Sequence, residues 1–151
     1  MRSVCVAATL ILSACAPAPP PVEHVQADPT REPGYAEATG RLTAMSLEAE
    51  GLLKSGKPDQ AAALITAGQP LLNRLLSVPR PTLPAMEAVS DLDQLYGRML
   101  LENRNYGWAR LLFQKNLIRW KNWKPQTPET ARRVKLAAAA IAECDRHLGL
   151  Y

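Results

Sequence analysis

Beyond residue 34 the chain repeats one pattern: apolar residues three and four positions apart, in stretches long enough for several helical turns, each closed by proline, glycine or a polar cluster. The first stretch, residues 35–55, places Leu42, Met45, Leu47, Leu52 and Leu53 at approximate helical spacing before Gly56-Lys57-Pro58 ends it. The second, residues 58–77, opens on Pro58, whose missing N–H costs nothing in a first turn, and carries Ala61, Leu64, Ile65, Leu71, Leu72, Leu75 and Leu76. Pro70 is expected to kink or split it, because an interior proline removes a hydrogen bond and crowds the preceding turn. Three prolines make residues 78–84 a loop.

A third helix is expected from Ala85 to about Leu101, with Met86, Val89, Leu92, Leu95, Tyr96, Met99 and Leu100 inward, and Glu102-Asn103-Arg104-Asn105 reads as a tight turn. Residues 106–123 form the fourth, with Ala109, Leu112, Phe113, Leu117 and Trp120 as one stripe and Arg110, Gln114 and Lys121 across from it. Lys124-Pro125-Gln126 interrupts. Thr127-Pro128-Glu129 then combines a capping hydroxyl, a first-turn proline and a carboxylate at the positive end of the helix dipole, and starts a fifth helix over residues 128–148. Its apolar side is read as Val134, Ala138, Ile141 and Leu148. The expected fold is all-α: about five antiparallel helices joined by short connections, arranged as a helical-hairpin array or a small bundle.

Composition agrees with one helical domain, since only 5% of the 151 residues are aromatic and the core must come mainly from Leu, Ala, Ile and Val. The first residues follow another logic. Arg2 supplies a positive charge and residues 4–12 are apolar except for Thr9, the layout of a secretory signal. Leu12-Ser13-Ala14-Cys15 resembles the bacterial lipobox. That resemblance implies cleavage before Cys15, a diacylglycerol on its sulfur and usually a further acyl chain on the freed amine. No other cofactor is expected. Two or three acyl chains anchor stably where one does not. By the same resemblance, uncharged Ala16 favours the outer membrane, periplasmic face, over the inner one. Six prolines between Ala16 and Pro33 make that stretch a tether. The expected organisation is therefore a leader over 1–14, a lipidated cysteine and tether over 15–33, and a helical domain over 34–151.

Inside the domain Ala49, Ala61, Ile65 and Gly68 occupy the small–small–bulky–small places of a tetratricopeptide repeat, whose paired helices they resemble, with Gly56-Lys57 in the turn. Gly97, Ala109 and Phe113 fit three of the places, and Asn116 stands in the last. The two alanines lie further apart than the usual repeat length, so two degenerate hairpins and a plain antiparallel bundle both remain open.

Common catalytic plans are missing: no G-x-S-x-G serine, glycine-rich phosphate loop, paired Cys-x-x-Cys or H-E-x-x-H helix occurs, and no metal site is expected. Glu102 is the one candidate acid for a peptidoglycan-binding or peptidoglycan-cleaving enzyme, although Asn103 follows it where lytic transglycosylases place serine. Cys144 and His147, three apart, could meet as thiolate and base, or Cys144 could serve as a small buried hydrophobe.

Charge is uneven. Residues 23–97 hold ten acidic and six basic side chains, residues 98–135 two acidic and ten basic, and six of the eight aromatics fall between Tyr96 and Trp123. One reading makes Trp108, Arg119, Trp120, Lys121, Trp123 and Lys124 a partner-binding surface; the other puts the aromatics in the core with Lys and Arg solvating the helix backs. Nucleic acid is an unsuitable partner for a secreted chain. The functional expectation is a lipid-anchored scaffold or assembly factor for envelope machinery in secretion, pilus or outer-membrane protein assembly. Its partners would be the bilayer, through Cys15, and other envelope proteins.

Overall fold

The computed structural model describes residues 27–150, and among them it contains five α-helices and no strand. The lipobox and Cys15 lie outside the described residues. Regular structure begins earlier than expected, inside the stretch read as tether: Asp28 caps a 3-10 turn at Pro29–Arg31, its carboxylate accepting from the Thr30 N–H at 3.0 Å. The helices are α1 (Pro33–Lys54), α2 (Pro58–Leu76), α3 (Leu83–Glu102), α4 (Tyr106–Asn122) and α5 (Pro128–Leu148).

Four of these five helices carry proline in the first two positions, where its fixed φ suits the helix and its missing N–H has no intrahelical partner to lose. The expected split at Pro70 does not occur, and α2 runs through it without interruption. Pro70 and Thr66, whose carbonyl loses its bond, are both exposed, so that carbonyl is not left buried without a partner. Thr127 caps α5 as expected, its hydroxyl oxygen accepting from the Thr130 N–H at 3.2 Å while Thr130 accepts in return from the Thr127 N–H at 2.8 Å. The Gln126 amide closes the other side of that connection by donating to the carbonyls of Trp120 and Trp123 at the end of α4.

Helix α3 is the centre. It packs against α1, α2 and α4, and Ala85, Met86, Ala88, Val89, Leu92, Leu95, Gly97 and Met99 are all buried around its circumference. The main core joins Leu42 and Ala49 of α1, Ile65 and Leu75 of α2 and Val89 and Leu92 of α3; a smaller one joins Ala109 and Phe113 of α4 to Cys144 of α5. The Tyr35 hydroxyl ties the first three helices together, donating to the Leu75 carbonyl and accepting from the Thr82 N–H.

The small residues singled out in the sequence sit where helices touch. Ala49, Ala61 and Ala109 are fully buried, and a Cβ on Gly68 would meet Leu92 and Leu42 at 3.1 and 3.2 Å. At Gly97 the Phe113 ring lies so close that a Cβ would stand 2.5 Å from it. Two apolar stripes differ from expectation. On α1, Leu47 faces solvent and Tyr35, Ala38, Thr39, Leu42, Ser46 and Ala49 face inward. On α5 the buried positions are Thr130, Ala137 and Cys144, while Ala138 and Leu148 are exposed.

Gly97→Ala is expected to cost about 1–3 kcal/mol through overpacking against Phe113. Gly40→Ala, on α1 with no atom within 4 Å of the new Cβ, should gain up to about 1 kcal/mol from helix propensity. Urea denaturation of the two variants checks the opposite signs.

Candidate functional site

The seam between α3 and α4 is polar although it is buried. Asn116 donates from Nδ2 to the Ser90 carbonyl at 3.0 Å, and the Trp120 indole N–H donates to the Ser90 hydroxyl at 2.6 Å. Arg119 donates to Asp93 Oδ2 at 3.0 Å and to Asn116 Oδ1 at 2.5 Å. Among the described residues no buried side-chain polar atom lacks a partner. Burial pushes the Asp93 carboxyl above the usual carboxylate range, and the adjacent Arg119 only partly offsets this.

Two open cavities flank this seam. One, of about 390 Å³, lies between α1, α3 and α5, with Leu47 and Glu50, Leu95 and Arg98, and Arg133 and Leu136 on its walls and Asn116 and Trp120 of α4 also lining it. Leu47 and Leu136 are 65% and 48% exposed, large for leucines beside a concavity. Arg133 is held in place by its neighbours: its guanidinium lies 5.0 Å from the Trp120 ring centroid and pairs with Asp91 at 2.6 Å and Glu129 at 2.9 Å. Arg132, chiefly, and Arg133 pull the Glu129 carboxyl down to about 2. Arg98 approaches Glu50 at 3.5 Å across the α1–α3 wall. The second cavity, about 440 Å³, lies between α2, α3 and α4 and is lined by Leu72, Leu76, Tyr96, Trp108, Leu112 and Lys115 among others.

The six proposed contact residues are thus divided. Trp108 is 68% exposed, and Lys121 and Lys124 are exposed. Trp123 is half-buried, its ring 6.2 Å from that of Trp120 in an edge arrangement. Trp120 is 1% exposed and therefore leaves the set of surface anchors: it fills the core, and its N–H is spent on Ser90. Arg119 leaves it too, because its side chain is mostly buried in the pair with Asp93.

Glu102 ends α3, exposed and outside both cavities. Cys144 packs among Ala109, Phe113 and Ile141, and burial raises its thiol, opposite to what a nucleophile needs. His147 stacks on Tyr106, ring centroids 4.3 Å apart. The thiolate–base reading is therefore replaced by that of a structural cysteine.

Sequence reasoning missed Leu47, Arg98, Arg133 and Leu136 as lining residues. One signal was present: Leu47 falls about 140° around a helix from Leu42 and cannot share its stripe. Comparison with protein-family models, with curated proteins and with solved structures finds no match to this chain.

Arg119→Glu is expected to lower stability by about 3 kcal/mol or more, since it sets a second carboxylate against buried Asp93, whereas Lys121→Glu should stay within about 0.5 kcal/mol. Thermal melts of both variants check this. Because Asp93 holds its proton more tightly folded than unfolded, its contribution is greatest at low pH and is lost as pH rises from the ordinary carboxylate value through its raised one. Wild type should therefore gain on Asp93→Asn as pH falls through that window, measured by denaturant titration at each pH.

Proposed function

We propose that this protein is a lipid-anchored periplasmic adaptor that binds another envelope protein in the groove between α1, α3 and α5. The observation that carries the reading is the groove itself. It is concave, its walls expose Leu47 and Leu136, and two guanidinium groups stand among them, Arg133 held by Asp91 and Glu129 and Arg98 loosely paired with Glu50. Apolar projections beside oriented guanidinium groups suit recognition of a peptide segment, with apolar contacts supplying most of the affinity and charge the register. The lipobox supports the anchored part of the reading, as do the prolines before the first capped turn. A tetratricopeptide-like hairpin array is the arrangement proposed for the helices. In this arrangement α1, α3 and α5 supply most of the groove's walls and Asn116 and Trp120 of α4 complete them.

Glu102 does not favour the rival reading of peptidoglycan chemistry, because it borders neither cavity. Release of muropeptides by purified protein, abolished by Glu102→Gln, would reverse that choice.

Replacing Cys15 by Ala should move the protein from the membrane pellet to the soluble periplasmic fraction, and unchanged detergent-phase partitioning would refute the anchor. A photo-crosslinking residue at Leu47 or Leu136 should give one discrete protein adduct in cells. Arg98→Glu should remove that adduct without changing the melting temperature, because Arg98 is an exposed, weakly paired side chain.

A further inference from the structure

Helix α4 turns much of its polar chemistry inward and much of its apolar bulk outward. Asn116 is buried, Arg119 and Arg110 reach Asp93 and Asp145, and Trp120 spends its N–H inside. The opposite side presents Trp108, Leu111, Lys115 and Ile118, spaced three, four and three apart and hence aligned along the helix. Trp108, Leu111 and Ile118 are 68%, 42% and 59% exposed. The helix contains four basic residues and no acidic one. With Arg110 and Arg119 occupied, Lys115 and Lys121 stay exposed and form no ion pair among the described residues, and exposed Arg104 precedes the helix. An unpartnered line of Trp, Leu and Ile interspersed with cations only is what remains.

We infer that this outer face of α4 rests on an anionic lipid leaflet, with Trp108, Leu111 and Ile118 at the boundary between headgroups and acyl chains and Lys115 and Lys121 against the phosphates. Charge complementarity selects the occupant: the face is uniformly positive, and an anionic leaflet is uniformly negative at its surface. Accessibility agrees: Trp108, Leu111 and Lys115 also line the cavity between α2, α3 and α4 whereas Ile118 and Lys121 line neither cavity, and all five are exposed on the side of α4 away from its buried contacts. A lysine within the apolar line fits a bilayer too, since its stem can lie along the apolar residues while the ammonium stays among phosphates. The inference is independent of acylation at Cys15.

The test separates the two. The chain from residue 15 onward with Cys15→Ala lacks leader and acyl groups yet keeps every contact described, since the folded body starts at the Asp28 cap. Mixed with vesicles containing phosphatidylglycerol, it should co-sediment and show a blue shift of tryptophan emission that Trp108→Phe removes. Lys115→Gln with Lys121→Gln should weaken partitioning roughly 30-fold, about fivefold per lysine. Trp108→Ser with Ile118→Ser should abolish it while leaving the circular dichroism unchanged. Absence of binding, equal binding to pure phosphatidylcholine, or binding that survives both pairs of substitutions overturns the inference. A photo-crosslinker at Ile118 that gives a discrete protein adduct in cells, rather than labelled lipid, overturns it in favour of a protein partner.

Discussion

The fold depends on α3 being buried around most of its circumference while carrying groups that cannot be buried bare. Ser90 and Asp93 lie on the side that meets α4. An unpartnered carboxylate there would cost several kcal/mol, so α4 has to bring Asn116, Arg119 and the Trp120 N–H to meet them. The register of α4 on α3 follows, because a rotation that freed Arg119 would also strip the donors from Ser90. Gly97 tightens the same seam by letting the Phe113 ring lie on the backbone of α3. The pair of Asp93 with Arg119 adds little net stability, as the raised Asp93 carboxyl indicates; its effect is to specify which face of α4 points inward.

That choice decides what the outside of the molecule looks like. With Asn116 and Trp120 turned toward α3, Trp108, Leu111 and Ile118 have nowhere to go but solvent. The arginines divide in the same way. Arg110 and Arg119 neutralise acids on α5 and α3, and Arg133 is locked between Trp120, Asp91 and Glu129. The strongly basic run in the sequence is therefore partly spent inside the fold, and its surface remnant is narrower and more apolar than residue counts imply.

These facts also explain what could be read in advance. Helix ends were legible because proline, Thr127 and the Gly56 turn act locally, through φ and through capping, with no tertiary term. Helix faces were legible where Leu, Ile and Val alternate with charge, as on α2 and α3. They were misread on α1 and α5, where the buried positions are Thr39, Ser46, Ala49, Thr130 and Ala137, small residues whose sequence signal is nearly neutral. Within the alanine run of α5 any of several stripes looks equally apolar, and only contact with α4 selects one. On α4 the stripe of Ala109, Phe113 and Trp120 was legible. Asn116 and Arg119 turned inward and Trp108, Leu111 and Ile118 turned outward nearly cancel the amphipathic signal, however, so a contact surface drawn from the Trp and basic residues mixed Trp120 and Arg119 with Trp108 and Lys121.

If the outer face of α4 meets lipid and Cys15 is acylated, the two contacts need not be strong separately. Cys15 and Asp28 are thirteen residues apart, which covalent geometry limits to about 45 Å. Within such a radius a face already held near the leaflet meets lipid at an effective concentration of order millimolar or above, without any contribution from free diffusion. A face of three apolar side chains and two lysines, which binds an anionic leaflet reversibly on its own, then stays seated enough of the time to orient the protein. Orientation is what the groove would require. The groove opens among α1, α3 and α5, whereas the stripe runs along α4 on the side away from its buried contacts, so seating the stripe turns the groove off the membrane. The same polar seam that fixes α4 on α3 would thus also fix which way the adaptor presents Leu47 and Leu136 to a partner.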